Sequence, residues 1–371
     1  METETCTYRL LSLIAISGEV GTDILSYLKI SKSYGEKLIT KLKNEKLIKT
    51  HYKDRLRGYR LTRKGKNLLL EDNPKRFSFY LSGNTDTNRP RSDYSRRLRL
   101  QNASIVYSML QNSGVSIFRD EKPDLFQSAK QNRESLNLPV FYHSRELKEL
   151  GAETIKINNS RSMGILLAPE CIYLLFYTGE SLLKWEYRTE LRVKALLNHH
   201  INTGTLSCRC ITPAYHPDTH IKALFIGKDM DTSLKLLTST GGFQRSYFSL
   251  DSSFDYFHYV SADPSGETMI RLLCQPDLQK SLRELLLSDL YPPNPEYGFE
   301  HDAVSNGLPV LLAFDFDMLR ISRYCTALSL RSLTGNLICF DFQKKVLEEY
   351  FGGIVRIETI NLEKFERRFL N

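Results

Sequence analysis

The chain opens on an apolar run, Tyr8-Arg9-Leu10-Leu11-Ser12-Leu13-Ile14-Ala15-Ile16, that reads as a buried helix ended by Ser17-Gly18. A short amphipathic helix follows over Thr22 to Leu28, with Ile24, Leu25 and Leu28 as its apolar side. The turn Lys29-Ile30-Ser31 then leads into a third helix that runs to about Asn44. Either Ser31 or Ser33 can cap it, and Ser33-Tyr34-Gly35-Glu36 has the Ser-x-x-Glu form of a capping box. With residues advancing by ~100° each, Gly35, Leu38, Ile39 and Leu42 fall on one arc of this helix. The opposite arc holds Ser33, Lys37, Thr40 and Asn44, flanked by Glu36 and Lys41.

Beyond this helix the period changes from helical to alternating. Leu47 to Tyr52 reads as a strand, Lys53-Asp54-Arg55-Leu56-Arg57-Gly58 as a tight basic tip, and Tyr59-Arg60-Leu61-Thr62 as the returning strand. Thr62-Arg63-Lys64-Gly65-Lys66 opens another helix that continues through Leu70. Between residues 29 and 66 there are 14 basic side chains against three acidic ones, so this segment carries a strong positive charge. Three helices, a basic-tipped hairpin and a Tyr-x-Leu-Thr-x-x-Gly return resemble the winged-helix regulators over residues 6 to 72. A helix with an apolar back and a small-polar, lysine-bearing front suits a major groove, where hydroxyls and amines meet phosphates and base edges. The expected DNA-contact residues are Lys32, Ser33, Tyr34, Lys37, Thr40, Lys41, Asn44, Lys53, Arg55 and Arg57. Such a module can also dock proteins, but its basic face favours DNA.

From Asn73 to Arg99 the texture shifts to Ser, Asn, Thr, Pro and Gly, which predicts a basic linker over residues 76–96. Arg89, Arg91, Arg96, Arg97 and Arg99 either extend the phosphate contacts or keep an exposed linker soluble. The expected organisation is thus a winged helix-turn-helix over 1–75, the linker, and an α/β region over 97–371. That last region splits about 97–205 and 206–371 if it holds two subdomains.

In the last region Arg97 to Gln111 is a helix, with Leu98, Ile105, Val106 and Leu110 as its apolar residues. Met163–Leu167 and Cys171–Tyr177 read as paired strands joined at Pro169-Glu170, and a helix ends near His199-His200. From residue 220 strands and helices alternate. Ile221–Ile226 precedes a helix around Thr232–Leu237, and Tyr256–Val260 precedes one around Gln279–Leu287. Leu308–Phe314, Asn336–Phe340 and Ile354–Ile360 are further strands. This rhythm implies an α/β sheet with helices packed on it.

The net charge of +8 is unevenly spread. Residues 1–101 hold 22 Lys and Arg against 11 Asp and Glu, whereas the remaining 270 are slightly acidic. A localised basic segment is the footprint of a polyanion binder. The seven cysteines include one close pair, Cys208 and Cys210, and no CxxC, so reduced, mostly buried thiols are expected. Met1-Glu2-Thr3-Glu4 is acidic where a signal peptide is basic, and Gly164–Tyr177 is too short and interrupted to span a bilayer. A cytoplasmic location, with no membrane partner, is the expectation.

Chemistry is sparser than charge. Asp315, Asp317 and Asp341 sit at strand ends, where open α/β sheets bind ligands, but strand-end aspartates also cap helices. With Glu153, Glu170, Glu186 and Glu190 there are acids enough for a divalent-metal nuclease. The Glu/Asp-x-Lys signature of restriction-type nucleases is matched literally by Glu146-Leu147-Lys148, but within a segment, Ser144–Leu150, that reads as a short charged helix. His199 and His200 diverge on a helix, Tyr215-His216-x-x-x-His220 lacks an alternating His strand, and no P-loop or GxGxxG is present. Capping is therefore the preferred role for the aspartates, and no catalytic residue, metal or cofactor is expected.

The whole layout resembles the replication-relaxation family, winged-helix proteins of plasmids and conjugative elements of Gram-positive bacteria. Ser31–Gly65 carries the resemblance most specifically. The Arg96-Arg97-Leu98-Arg99 helix and Ser162–Leu166 with Lys184-Trp185 after it add to it. It implies a double-stranded DNA-binding accessory in replication or conjugative transfer, with replication or transfer proteins as partners and a homodimer left open. A ligand-sensing winged-helix transcriptional regulator and a metal-dependent nuclease with a divergent α/β core are the alternatives.

Overall fold

Thr5 accepts a hydrogen bond from the Tyr8 amide and starts α1 (Cys6–Ser17), and Gly18, at φ 86°, ends it. The structure is a computed structural model describing residues 5–122, 138–148, 160–202, 215, 218–242 and 246–370. The chain is mixed α/β, with three sheets among the described residues, and divides into two units, Met1–Asp124 and Leu125–Asn371.

In the first unit α1 is followed by β1 (Val20–Gly21), α2 (Ile24–Tyr27) and α3 (Lys32–Asn44). Then come the hairpin β2 (Ile48–Lys53) and β3 (Leu56–Leu61), and the helices α4 (Arg63–Asp72), α5 (Pro74–Leu81) and α6 (Tyr94–Asn112). Ser31 holds the cap position of α3, and Ser33 lies inside the first turn, so the alternative start at Ser33 is not used. Gly35, Leu38, Ile39 and Leu42 are buried, as the periodicity predicts. A Cβ at Gly35 would come within 2.6 Å of Leu25 Cδ1, which is how closely α3 approaches α2. The strands form an antiparallel sheet in the order β1-β3-β2, with Val20 opposite Tyr59 and Gly21 opposite Gly58.

Two sequence expectations change here. The hairpin tip is not six residues but two, Asp54-Arg55, because Lys53 already pairs with Leu56. Gly58 is a strand residue. Its lack of a side chain serves packing, since a Cβ there would collide with Glu19 Oε1 and sit 2.6 Å from Gln101 Nε2. The second change is the linker, which belongs to the first unit. Asn73 caps α5, Pro74 is its first residue, and Asp93 caps α6. Asn73 and Asp93, which flank the Ser, Gly, Asn, Thr and Pro cluster of residues 82–90, are helix caps, and that cluster is the non-helical connection between α5 and α6. Arg76 on α5 pairs with Asp120 at 2.7 Å and with Glu121 at 2.8 Å, tying this segment to the unit's far end.

The second unit contains β4 (Val140–His143), α7 (Ser144–Lys148), β5 (Ser162–Ala168), β6 (Cys171–Gly179), α8 (Tyr187–Asn202) and β7 (His220–Gly227). It continues with α9 (Met230–Leu237), β8 (Phe257–Ser261), α10 (Pro264–Leu273), α11 (Pro276–Leu287), β9 (Ala303–Ser305) and β10 (Leu308–Leu312). The last elements are α12 (Met318–Arg331), β11 (Gly335–Phe340), α13 (Lys344–Phe351), β12 (Val355–Ile360) and α14 (Leu362–Phe369). One sheet runs β4-β5-β6-β7-β8, antiparallel up to β6 and parallel from β6 to β8. The other runs β12-β11-β10-β9 and is parallel except for the β9–β10 hairpin. A continuous apolar core joins residues of both sheets, among them Phe176, Trp185, Phe225, Leu311 and Leu337. Trp185 sits edge-on to Phe176 and Phe248 while its indole N–H donates to Asp251 at 2.7 Å. The strand–helix rhythm holds, with β4, α10, β9 and α14 as unpredicted additions.

Candidate nucleic-acid interface

All ten residues singled out from the sequence are solvent-exposed: Lys32, Ser33, Tyr34, Lys37, Thr40, Lys41 and Asn44 on α3, and Lys53, Arg55 and Arg57 on the hairpin. Strand alternation sorts the hairpin into two faces. Ile48 with Leu61, Thr50 with Tyr59, and Tyr52 with Arg57 form one face, and Lys49 with Arg60, His51 with Gly58, and Lys53 with Leu56 form the other. The first face is the one α3 packs on, with Lys43 Nζ 5.4 Å from the centre of the Tyr59 ring. Arg57 therefore stands on the hairpin face that meets α3, and Lys53 on the opposite face. Tyr52, 68% exposed beside Arg57, joins that surface and was missed in the sequence because it lies within a strand run.

The arrangement can offer hydrogen bonds and positive charge to an anionic surface. Thr40 donates its hydroxyl to the Glu36 carbonyl at 2.8 Å, so the oxygen's acceptor side faces outward. Lys41 lies 3.9 Å from Glu45 in an exposed i,i+4 pair, which is weak and leaves the lysine able to exchange partners. At the tip, Asp54 (φ 53°) and Arg55 (φ 60°) both take left-handed conformations, as a two-residue I′ hairpin demands. Asp tolerates this geometry; Arg pays about 1 kcal/mol for it. The turn thus holds a strained cation at its apex where glycine would be the relaxed residue.

Behind the hairpin lies a buried ionic cluster that sequence reading did not find. Glu19 accepts from Arg60 Nε at 2.6 Å, from Arg97 Nη2 at 2.8 Å and from Gln101 Nε2 at 2.7 Å. Arg97 also donates to the carbonyls of Lys53, His51 and Leu56 at 2.9, 3.0 and 3.0 Å. These four donor contacts from one residue of α6 hold β2, β3 and Glu19 together. Burial raises the Glu19 carboxyl, but the hydrogen bonds from Arg97, Arg60 and Gln101 outweigh it and hold the group below its ordinary value. Arg97 is fully buried, so the expectation that it touches phosphate is corrected: it is a clamp, not a contact. Arg89, Arg91 and Arg99 are exposed, and Arg96 is half-buried.

The second unit's candidate acids fall into structural roles. Asp317 caps α12, accepting from Leu319 N at 3.1 Å, and also accepts from Phe257 N on β8 at 3.0 Å. Burial holds its carboxyl above the ordinary range, with Asp315 adding to the effect and His258 opposing it. The carbonyl of Asp315 lies 3.0 Å from His258 Nδ1, and that imidazole stacks on Tyr256. Asp341 accepts from Asn361 Nδ2 at 2.9 Å and so joins the ends of β11 and β12. Glu146 is buried at the start of α7, where it accepts from His143 N at 2.8 Å, so Glu146-Leu147-Lys148 lies on a helix as expected. Glu170 occupies the β5–β6 turn at φ 66°, and Glu186 accepts from Thr189 Oγ1. Burial pushes Glu190 up to about 7, with Asp251 and Glu186 adding to the shift against bonds from Ser160 and Arg161. Tyr215 donates to the Ala168 carbonyl at 2.7 Å, and His220 is exposed at the start of β7. Glu153, Cys208, Cys210, His216 and the side chain of His200 lie outside the described residues. Among the described residues no three His, Cys, Asp or Glu are grouped to hold a metal ion, and no helix is long and apolar enough to cross a membrane.

Comparison with protein-family models, with curated proteins and with solved structures finds no match to the chain.

Proposed function

We propose that the first unit is a winged helix-turn-helix and that the protein binds double-stranded DNA through α3 and the β2–β3 hairpin. The observation that carries this reading is the set of exposed polar and basic side chains on α3 and on the hairpin it packs against. Ser33, Lys37, Thr40 and Asn44 line one exposed arc of α3, and Arg57 and Tyr52 stand on the hairpin face that packs against the same helix. In this reading α3 enters the major groove with small polar and lysine side chains toward base edges, and Arg55 and Arg57 meet the backbone. The buried Arg97–Glu19 cluster fixes the hairpin against the helices, so the tip arrives preorganised.

The resemblance to the replication-relaxation family supports a role as an accessory in replication or conjugative transfer of a mobile element, acting in the cytoplasm. The capping role of Asp317 and the bond of Asp341 to Asn361 favour a binding protein over a nuclease. A variant reversing three charges, Lys37→Glu with Arg55→Glu and Arg57→Glu, tests the assignment. All three positions are exposed, so the variant folds; it loses duplex binding if the reading holds and keeps it if another surface binds DNA.

A further inference from the structure

A cavity of about 210 Å³ lies in the first unit, on the face of the hairpin opposite α3. Lys49 and Arg60 face it from cross-strand partner positions, Lys66 from α4, and Arg89 from the segment that precedes α6. Its lining includes these four cations and no carboxylate. A Cβ on Gly18 would come within 2.8 Å of Thr87 Cα, so the end of α1 presses directly on the segment that carries Asn88 and Arg89.

The positive charge here is poorly balanced from within the protein. Arg60 must share Glu19 with Arg97, and its remaining donors go to the carbonyls of Pro90 and Arg91 at 3.0 Å each. Lys66 Nζ bonds to two neutral oxygens of Asn88, the carbonyl and the side-chain Oδ1, the latter at 2.8 Å. Burial lowers the Lys66 ammonium from its ordinary value, and the fields of Lys49 and Arg89 lower it further. A half-buried ammonium repelled by neighbouring cations gains most from an anion between them, because each new bond is charge-assisted and an ammonium is a compact donor suited to phosphate oxygens.

We propose that this cavity binds a phosphate-class oxyanion. Its source is either free phosphate, alone or as part of a small phosphorylated molecule, or a backbone phosphate of bound DNA. Only the DNA source rests on the proposed function; the free-anion source stands without it.

The test uses the full chain and the double variant Lys49→Gln, Arg89→Gln. Both side chains are exposed, so the variant folds, which circular dichroism checks. Thermal unfolding is followed as inorganic phosphate replaces chloride at constant ionic strength, without DNA. A rise of a few degrees in Tm, roughly what saturation at ten or more times Kd gives, that is absent in the variant supports the free-anion source. If phosphate does nothing, but the variant's log K against log salt slope on a duplex is shallower by about 2, the occupant is DNA backbone. A folded variant that differs from the wild type in neither measurement overturns the proposal. A protein that binds no duplex at all but responds to phosphate leaves this site intact while removing the DNA reading.

Discussion

Arg97 Nη2 lies 2.8 Å from Glu19 Oε1, and neither side chain reaches solvent. Arg97 comes from α6 and Glu19 from the turn after α1, 78 residues earlier, so the pair closes the sheet against the helices that flank it in sequence. Because the same guanidinium also bonds three hairpin carbonyls, its loss would take a donor from each of them and leave Glu19 with Arg60 and Gln101 alone. Arg97→Leu is expected to cost about 3–5 kcal/mol, the usual penalty for stranding one partner of a buried pair. Arg97→Lys should recover little of it, since one ammonium cannot reproduce a fork of donors. Urea unfolding measures both; a midpoint within error of the wild type for Arg97→Leu would show the cluster to be incidental.

The same geometry sets where the first unit can be cut. A fragment of residues 1–75 lacks Arg97 and Gln101 and also removes Phe77, Tyr80 and Leu81, all buried. Residues 1–124 are expected to unfold cooperatively, whereas 1–75 should show no cooperative thermal transition by circular dichroism. A sharp transition in the shorter fragment would mean that α6 is dispensable.

Strain and function should separate at the tip. Arg55→Gly relaxes the left-handed conformation and is expected to stabilise the hairpin by about 1 kcal/mol. It also removes a cation, so affinity for every duplex should drop together, with a shallower salt slope. Substitutions at Ser33, Lys37 or Thr40 should instead act on preferred sequences, by roughly 1–3 kcal/mol for each lost base contact. Anisotropy titrations against selected and random duplexes distinguish the two, and equal effects of both sets would mean that α3 does not read sequence.

Glu190 makes the second unit pH-sensitive. Its carboxyl is raised from 4.5 to about 7 in the folded chain. A raised acid favours folding while protonated: that contribution is full below about pH 4.5 and is lost as pH rises through 7. Glu190→Gln imitates the neutral form, so wild type and variant should match near pH 4.5. Near pH 8 the variant should be more stable by at most roughly 3 kcal/mol. A stability difference that does not change with pH would contradict the assignment.

What the sequence revealed followed from periodicity. The apolar arc of α3, the alternation of β2 and β3 and the strand–helix rhythm of the second unit each repeat often enough to be read one residue at a time. The ten exposed candidates came from the same source, since the face opposite a buried arc is exposed. What could not be read was pairing across long separations. Arg97 looked like a surface arginine because its partner Glu19 lies 78 residues away, and nothing local marks either as buried. Gly58 looked like a turn glycine for the same reason, its constraint coming from Glu19 and Gln101 across the sheet. The helices at the two ends of the linker segment went unread because Asn73 and Asp93, which cap them, are residues that loops also use.

The most direct test of the account is the salt dependence of duplex binding by the full chain. Fluorescence anisotropy with a mixed-sequence duplex, from about 50 to 200 mM salt, yields the slope of log Kobs against log salt. With Lys32, Lys41, Arg55 and Arg57 facing phosphates, that slope should fall between about −3 and −4. No binding at the lowest salt, or a slope near zero, would contradict the claim that this surface exists to hold DNA.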